Sequence, residues 1–245
     1  MCSSDLLALT AVAVSRVETF GLAEGADWHS YDIEATPAGT RFRASPQWRS
    51  LGFFEVSLVG EHNVRNVLAA MAVAASVGVD EDRMRTGLRE FAGVRRRLEV
   101  IGTAAGVTVF DDFAHHPTAV RETLAAVKAA YPGRRVWAVF EPRSASSCRR
   151  VFQEAFAEAF APADETILAP VYRSSLPEDQ RLSPERLVHD LEATGRKARS
   201  VAAVDDIVTT LGNEAKDGDL VVCMSNGAFG GIHAKVLDAL ANRAR

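Results

Sequence analysis

Cysteine is scarce in this chain of 245 residues. Only Cys2, Cys148 and Cys223 occur, far apart and with no CxxC pair. So sparse and odd a set argues against a disulfide framework or a zinc site and fits a reducing, cytoplasmic setting. Excess positive charge is also missing: the formal net charge is -4, so no strong basic field is present to draw in nucleic acid. No long apolar run exists either. The longest near the start, Leu6 to Val14, is too short to span a bilayer. It also has no basic residue before it and carries Asp5 at its edge, which argues against a secretion signal, and no membrane partner is expected. A helix or strand remnant is expected there.

What remains is an ordinary soluble composition, 47% hydrophobic and 24% charged. Between Ser15 and Val59 the chain is rich in strand formers and turn residues. Thr40 to Arg43 and Phe53 to Leu58 read as strands, and two or three antiparallel strands are expected. From Asn63 the period becomes helical, with Val64, Val67, Leu68, Met71 and Ala75 on one face and Gly78 as the stop. Asp80 caps a second helix. Residues 93–97 read as a linker.

Beyond the linker, apolar strands alternate with helices. The strands are Val107 to Phe110, Val136 to Phe140, Glu165 to Ala169, Ala198 to Val201 and Leu220 to Met224. Helices open at Pro117, near Phe152, at Pro184, near Asp205 and near Gly231. Strands that are apolar throughout, separated by helices, imply a mostly parallel sheet covered on both faces. The fold class expected is α/β. Residues 1–95 form strands plus two helices, and residues 96–245 form a complete Rossmann-like domain.

Ligands of such sheets sit at the carboxyl ends of the strands, and three polar clusters occupy that position. Asp111-Asp112-Phe113-Ala114-His115-His116 follows the first strand and precedes a helix. Paired carboxylates and histidines there suit a metal, ribose hydroxyls or phosphate, or else form a solvated cap. Glu141-Pro142-Arg143-Ser144 follows the second strand, and Arg143 suits a bidentate grip on a carboxylate. Ser225-Asn226-Gly227-Ala228-Phe229-Gly230-Gly231-Ile232-His233 follows the last strand. It is not a dinucleotide fingerprint, and a backbone cradle for carboxylate or phosphate fits it better. Asn63 reads as a helix cap. Asn66, one turn on, lies on the same face, and the two amides match the donor and acceptor edge of an adenine. Arg95-Arg96-Arg97 is either a solvated run or a hinge arginine that reaches a nucleotide phosphate on closure.

In order, Gly60-Glu61-His62-Asn63-x-x-Asn66, Phe91-x-Gly93 with Arg97-x-Glu99, and Asp112-x-Ala114-His115-His116-Pro117-Thr118 resemble the Mur ligases of bacterial cell-wall synthesis. Ser15 to Gly21, Glu141 to Ser144 and Ser225 to Gly231 are similar to the branch that recycles murein tripeptide. The L-alanine-adding branch tends to have Gln-Pro-His-Arg where this chain has Glu141-Pro142-Arg143.

The resemblance implies amide ligation. ATP with Mg2+ phosphorylates the carboxylate of UDP-N-acetylmuramate, and the amine of L-Ala-γ-D-Glu-meso-diaminopimelate attacks the acyl phosphate. By carry-over, Asn63 and Asn66 face adenine, and Arg97 contacts phosphate or ribose. Asp112 holds the ribose, with His115 or His116 near the phosphates. Arg143, Ser144, Ser225, Asn226 and Gly227 hold the acceptor. No Gly-x-x-Gly-Lys-Thr/Ser loop occurs in this sequence. That loop and most Mg2+ ligands are therefore expected upstream, with residues 1–95 the end of a central ATPase domain and no turnover by this chain alone. Two rivals remain open: an L-alanine or folylpolyglutamate-type ligase, and a module that binds peptide or nucleotide without chemistry. Oligomeric state is not legible.

Overall fold

A computed structural model describes residues 10–47, 49–172 and 175–243. Leu6 to Leu9, the first four residues of the first apolar run, lie outside the described residues. Two compact units are present: Met1–Ser57 with Glu61–Phe91, and Leu58–Gly60 with Ala92–Arg245.

The first unit holds a four-stranded sheet of β1 (Phe20–Gly21), β2 (Trp28–Thr36), β3 (Gly39–Pro46) and β4 (Phe53–Val56), in that order. The β1–β2 pairing is parallel and the other two are antiparallel. Helix α1 (Glu61–Ser76) packs on β1, β2 and β3, and α2 (Glu81–Glu90) packs on β4. Val64, Leu68 and Met71 bury the helical stripe, and on the sheet Phe42 and Phe54 are buried with stacked rings 6.0 Å apart. Asp80 caps α2 as expected, accepting from Arg83 N at 2.9 Å. The start of α1 differs from expectation. The helix begins at Glu61, so Asn63 sits inside its first turn rather than at its cap. Strand β2 escaped the sequence reading because a bulge between Tyr31 and Glu34 breaks its alternation.

The second unit is a six-stranded sheet. Its strands are β5 (Glu99–Ala104), β6 (Val107–Asp112), β7 (Val136–Phe140), β8 (Glu165–Leu168), β9 (Lys197–Ser200) and β10 (Leu220–Met224), ordered β5-β6-β10-β7-β8-β9. The sheet is mostly parallel, as expected, with β5 antiparallel at the edge. β5 was not foreseen: its register shifts between Val100 and Gly102, which spoils a strand period.

The helices of this unit are α3 (Pro117–Ala130), α4 (Gln153–Ala159), α5 (Pro184–Ala193), α6 (Val204–Glu214) and α7 (Ile232–Arg243). Helices α3, α4 and α5 pack one face, where Leu124, Phe156 and Leu187 meet Phe110, Ala138, Phe140 and Val222. Helices α6 and α7 pack the other, where Ile207, Leu211, Ile232 and Val236 meet Val109, Trp137, Val139 and Cys223. Every residue of β7 and β10 is therefore buried, which is why both strands are apolar without alternation.

The order explains the helix faces. From β6 through β9 the chain advances one way along the sheet, and right-handed crossovers put α3 to α5 on one side. From β9 it turns back to β10, in the gap between β6 and β7, and the same handedness puts α6 on the other side. The reversal brings three carboxyl strand ends together: Met224 pairs with Asp112 on one side and with Phe140 on the other.

Candidate functional site

The three loops leaving these ends are laced by backbone hydrogen bonds. Ser225 N donates to Asp112 O at 3.1 Å, and Glu141 N donates to Met224 O at 3.1 Å. The clusters singled out from sequence thus share one edge, where an open parallel sheet binds its ligands.

Asp112 turns inward. Its carboxylate accepts from Leu98 N at 2.7 Å, Ala114 N at 2.7 Å and Thr123 Oγ1 at 3.2 Å, and the residue is 4% exposed. Burial raises its pKa in spite of these donors and of the Arg97 charge. In this conformation Asp112 braces the linker against the first turn of the loop. Asp111 faces the other way, with Arg96 Nε 3.1 Å from Oδ2 and His233 Nε2 3.3 Å from Oδ1. Burial pushes its pKa up, but His233 and Arg96 outweigh that and hold it below the usual carboxylate value.

Arg96 does more than pair with Asp111. Its Nη2 donates to Ser225 O at 2.6 Å and Gly227 O at 2.7 Å. Its backbone N–H donates to Glu99 Oε2 at 2.8 Å, and its carbonyl accepts from Phe113 N at 2.9 Å. Arg96 and Leu98 both have left-handed backbone, φ 59° and 50°. For non-glycine residues that costs on the order of 1 kcal/mol each, offset here by the hydrogen bonds that hold them. Between the two, Arg97 is exposed, its guanidinium carbon 5.7 Å from the Phe113 ring centre.

His115 Nδ1 lies 2.8 Å from Phe113 O. A carbonyl only accepts, so Nδ1 carries the proton and, in the neutral ring, Nε2 is the acceptor. His116 caps α3 through Nδ1, which accepts from Thr118 N at 3.3 Å, and Pro117 fills the first helical position.

The Glu141 loop and the glycine-rich loop meet around Arg143. Glu141 is buried; Oε2 accepts from Ser225 Oγ at 2.5 Å, and Oε1 lies 3.7 Å from Arg143 Nη1. Ser225 Oγ also accepts from Gly227 N at 2.9 Å, so its hydroxyl is spent internally. Ser144 is likewise committed: Ser147 N donates to its Oγ at 2.9 Å, and its own N–H donates to Ser147 Oγ at 2.9 Å. Arg143 lies over the Tyr172 ring, 3.7 Å from guanidinium carbon to centroid. Its pairing with Glu141 is loose, and its N–H groups face no tighter acceptor among the described residues. Asn226 Oδ1 is buried without a hydrogen-bond partner among the described residues. Donors without acceptors and an acceptor without a donor, at the carboxyl edge of the sheet, suit a ligand that carries both a carboxylate and an N–H.

Comparison with known proteins agrees with this fold. Residues 96–227 match the model of the Mur ligase, glutamate ligase domain, and residues 2–74 that of the Mur ligase middle domain. The chain belongs to the Mur ligase family. It is 41% identical over 196 residues to the Escherichia coli (strain K12) UDP-N-acetylmuramate–L-alanyl-gamma-D-glutamyl-meso-2,6-diaminoheptandioate ligase, covering 79% of this chain and 41% of that one. It is 34% identical over 216 residues to the UDP-N-acetylmuramate–L-alanine ligase of Desulfitobacterium hafniense (strain Y51), covering 88% and 48%. The crystal structure of a murein peptide ligase from Psychrobacter arcticus 273-4 aligns with a TM-score of 0.63 at 33% identity, over 91% of this chain and 46% of that one. The chain spans about half the length of the curated relatives it matches.

Within a Mur ligase chain these residues fall into two groups. Asn63 and Asn66 belong to the first unit, on α1, where Asn66 Nδ2 donates to Asn63 Oδ1 at 3.4 Å; Asn63 is buried and Asn66 exposed. Arg97, Asp112, His115, His116, Arg143, Ser144, Ser225, Asn226 and Gly227 belong to the second. The sequence reading placed Asp111, Glu141 and His233 in its polar clusters and Arg96 in the basic run but gave none of them a role of its own, and it did not select Tyr172. Arg96 was hidden in a basic run, and Glu141 in a segment that drew notice for its arginine. Nothing local marks Tyr172. Among the described residues no group of three His, Cys, Asp or Glu side chains is placed to hold a metal ion. No helix of the described residues is long and apolar enough to cross a membrane.

Proposed function

We propose that this chain supplies the acceptor-holding part of an ATP-dependent amide ligase that joins L-Ala-γ-D-Glu-meso-diaminopimelate to UDP-N-acetylmuramate in the cytoplasm. Residues 1–95 belong to the central ATPase domain and residues 96–245 are the C-terminal domain. The observation that carries the reading is Arg143, held on Tyr172 beside Asn226 Oδ1, with no tight acid partner for the one and no hydrogen-bond partner for the other among the described residues. The 41% identity to the Escherichia coli ligase supports the tripeptide as acceptor.

ATP, when bound, supplies the phosphoryl group that makes the muramyl carboxylate an acyl phosphate. The residues here contribute position and charge. Arg143 grips an acceptor carboxylate and Asn226 takes an acceptor N–H, so the attacking amine arrives oriented. Arg97 and the Nε2 of His115 offer charge and polarity to a phosphate, and Asn66 offers an amide to adenine. No Gly-x-x-Gly-Lys-Thr/Ser loop is in this sequence, so cradling of the phosphates is left to other residues of the enzyme and no turnover is expected from these residues alone.

Calorimetry of the chain with tripeptide and with L-alanine, next to an ADP-release assay with UDP-N-acetylmuramate, tests this. Tripeptide binding that Arg143→Ala abolishes, without ADP release, is expected. Steady ADP release would overturn the assignment of phosphate handling elsewhere, and failure of tripeptide to bind would overturn the acceptor. A second reading takes L-alanine as acceptor. It is favoured by the 34% identity to the Desulfitobacterium L-alanine ligase across most of the chain, and preferential L-alanine binding would select it.

A further inference from the structure

Arg143 has no ordinary reason to stay where it is. It is a long side chain at a loop, without a tight hydrogen bond among the described residues, and its flexibility should smear it over many rotamers. Three neighbours limit it. The Tyr172 ring lies against its guanidinium at 3.7 Å. Glu141, buried, faces Nη1 at 3.7 Å and at the same time accepts from Ser225 Oγ at 2.5 Å. Gly227 lies against its stem: a Cβ built there meets Arg143 Nε, Cδ and Cζ before anything else. Ser225 Oγ in turn accepts from Gly227 N at 2.9 Å, so Glu141, Ser225 and Gly227 form one chain that ends on Arg143.

We propose that Glu141 and Gly227 are positioning residues for Arg143: Glu141 sets the glycine-rich loop with one carboxylate oxygen and draws the guanidinium with the other, while the bare Cα of Gly227 leaves the only room in which the side chain can lie. Tyr172 closes the third side. Backbone freedom does not explain the glycine at 227, which is not among the left-handed glycines of this loop, Gly230 and Gly231. What it supplies is space. A carboxylate bound bidentately by a pre-placed fork keeps the affinity that a mobile arginine would lose to ordering. The inference rests on the acceptor reading of the site, but the placement of Arg143 is measurable without any ligand.

The test uses the full chain with Gly227→Ala, Glu141→Ala, Glu141→Gln and Arg143→Ala. The first measurement is the 1H–15N heteronuclear NOE of the Arg143 Nε–H group. It should approach backbone values in the parent chain and drop sharply in Gly227→Ala and Glu141→Ala. The second is calorimetry with L-Ala-γ-D-Glu-meso-diaminopimelate. Gly227→Ala should weaken binding by about tenfold or more, as loss of a charge-assisted bidentate contact does. Adding Arg143→Ala to it should cause no further loss, since both act on one guanidinium. Glu141→Gln keeps an acceptor for Ser225 and stands in if Glu141→Ala does not fold; it should retain the loop shifts but lose affinity. An unchanged NOE in both Gly227→Ala and the Glu141 variants overturns the positioning roles. A low NOE in the parent chain likewise overturns them, whereas a high parent NOE that the variants lose, in a chain that binds no acceptor, leaves positioning intact and overturns the acceptor reading instead.

Discussion

Arg96 and Asp111 pair across the start of the second unit, Nε to Oδ2 at 3.1 Å, and the same guanidinium holds the carbonyls of Ser225 and Gly227. One side chain therefore ties the linker, the end of β6 and the glycine-rich loop together. Arg96→Ala removes two hydrogen bonds from backbone carbonyls and leaves Asp111 with His233 as its close side-chain partner. A loss of about 2–3 kcal/mol of stability is expected, the range for charge-assisted hydrogen bonds at partly buried sites. Urea unfolding measures it, and hydrogen exchange at residues 225–231 should rise with it. Unchanged exchange there would show that the loop stands without Arg96.

Asp219 presents a stability prediction with a pH sign. It is buried, accepting from Trp137 Nε1 at 2.9 Å, Arg135 Nε at 3.1 Å and Lys216 N at 2.8 Å. Burial pushes its pKa up, but Arg135, Lys216 and Trp137 outweigh burial and the net shift is downward. A carboxylate with a depressed folded pKa stabilises above its unfolded pKa and loses that contribution as pH falls through the folded value. Asp219→Asn should therefore cost about 2–4 kcal/mol at pH 7, the penalty for stripping one partner from a buried charge pair. The gap between variant and parent should shrink below pH 4. Unfolding midpoints at neutral and acid pH check both halves, and a gap that widens in acid would contradict the sign.

How far the sequence carried is clearest at particular residues. The apolar runs of β7 and β10 announced a sheet buried on both faces, and Pro117 and Asp80 marked helix starts, because local chemistry alone decides those features. β5 was not legible, since its bulge near Gly102 erases the alternation that marks a strand. In the site, residue types were readable and partnerships were not. Asp111 and Asp112 are adjacent and chemically identical. Only the fold, which places Leu98 and Thr123 beside one and Arg96 and His233 beside the other, distinguishes an inward brace from an ion pair. Glu141 and Ser225 are 84 positions apart and meet only because β10 inserts beside β7.

His115 offers a tautomer prediction. With Nδ1 donating to Phe113 O at 2.8 Å, the neutral ring must be the Nδ1–H form. Long-range 1H–15N correlation spectra should show a protonated Nδ1 and a bare Nε2. The opposite tautomer would turn a donor, not an acceptor, outward and would remove the polarity assigned to it near a phosphate.

The two asparagines of α1 separate stability from binding. Asn63 is buried in the first turn of the helix, whereas Asn66 is exposed and donates weakly to it at 3.4 Å. Asn63→Ala deletes a buried polar side chain and should cost about 1–3 kcal/mol, whatever its function. Asn66→Ala removes an exposed group and should leave the unfolding midpoint within about 0.5 kcal/mol of the parent. Any loss of adenine-nucleotide affinity in Asn66→Ala is then free of a folding artefact, which makes it the more informative variant although its side chain is the less buried. Titration of a fluorescent ATP analogue into both variants decides the matter. A selective drop in Asn66→Ala supports an adenine contact. Equal binding by Asn66→Ala and the parent would overturn an adenine contact for Asn66.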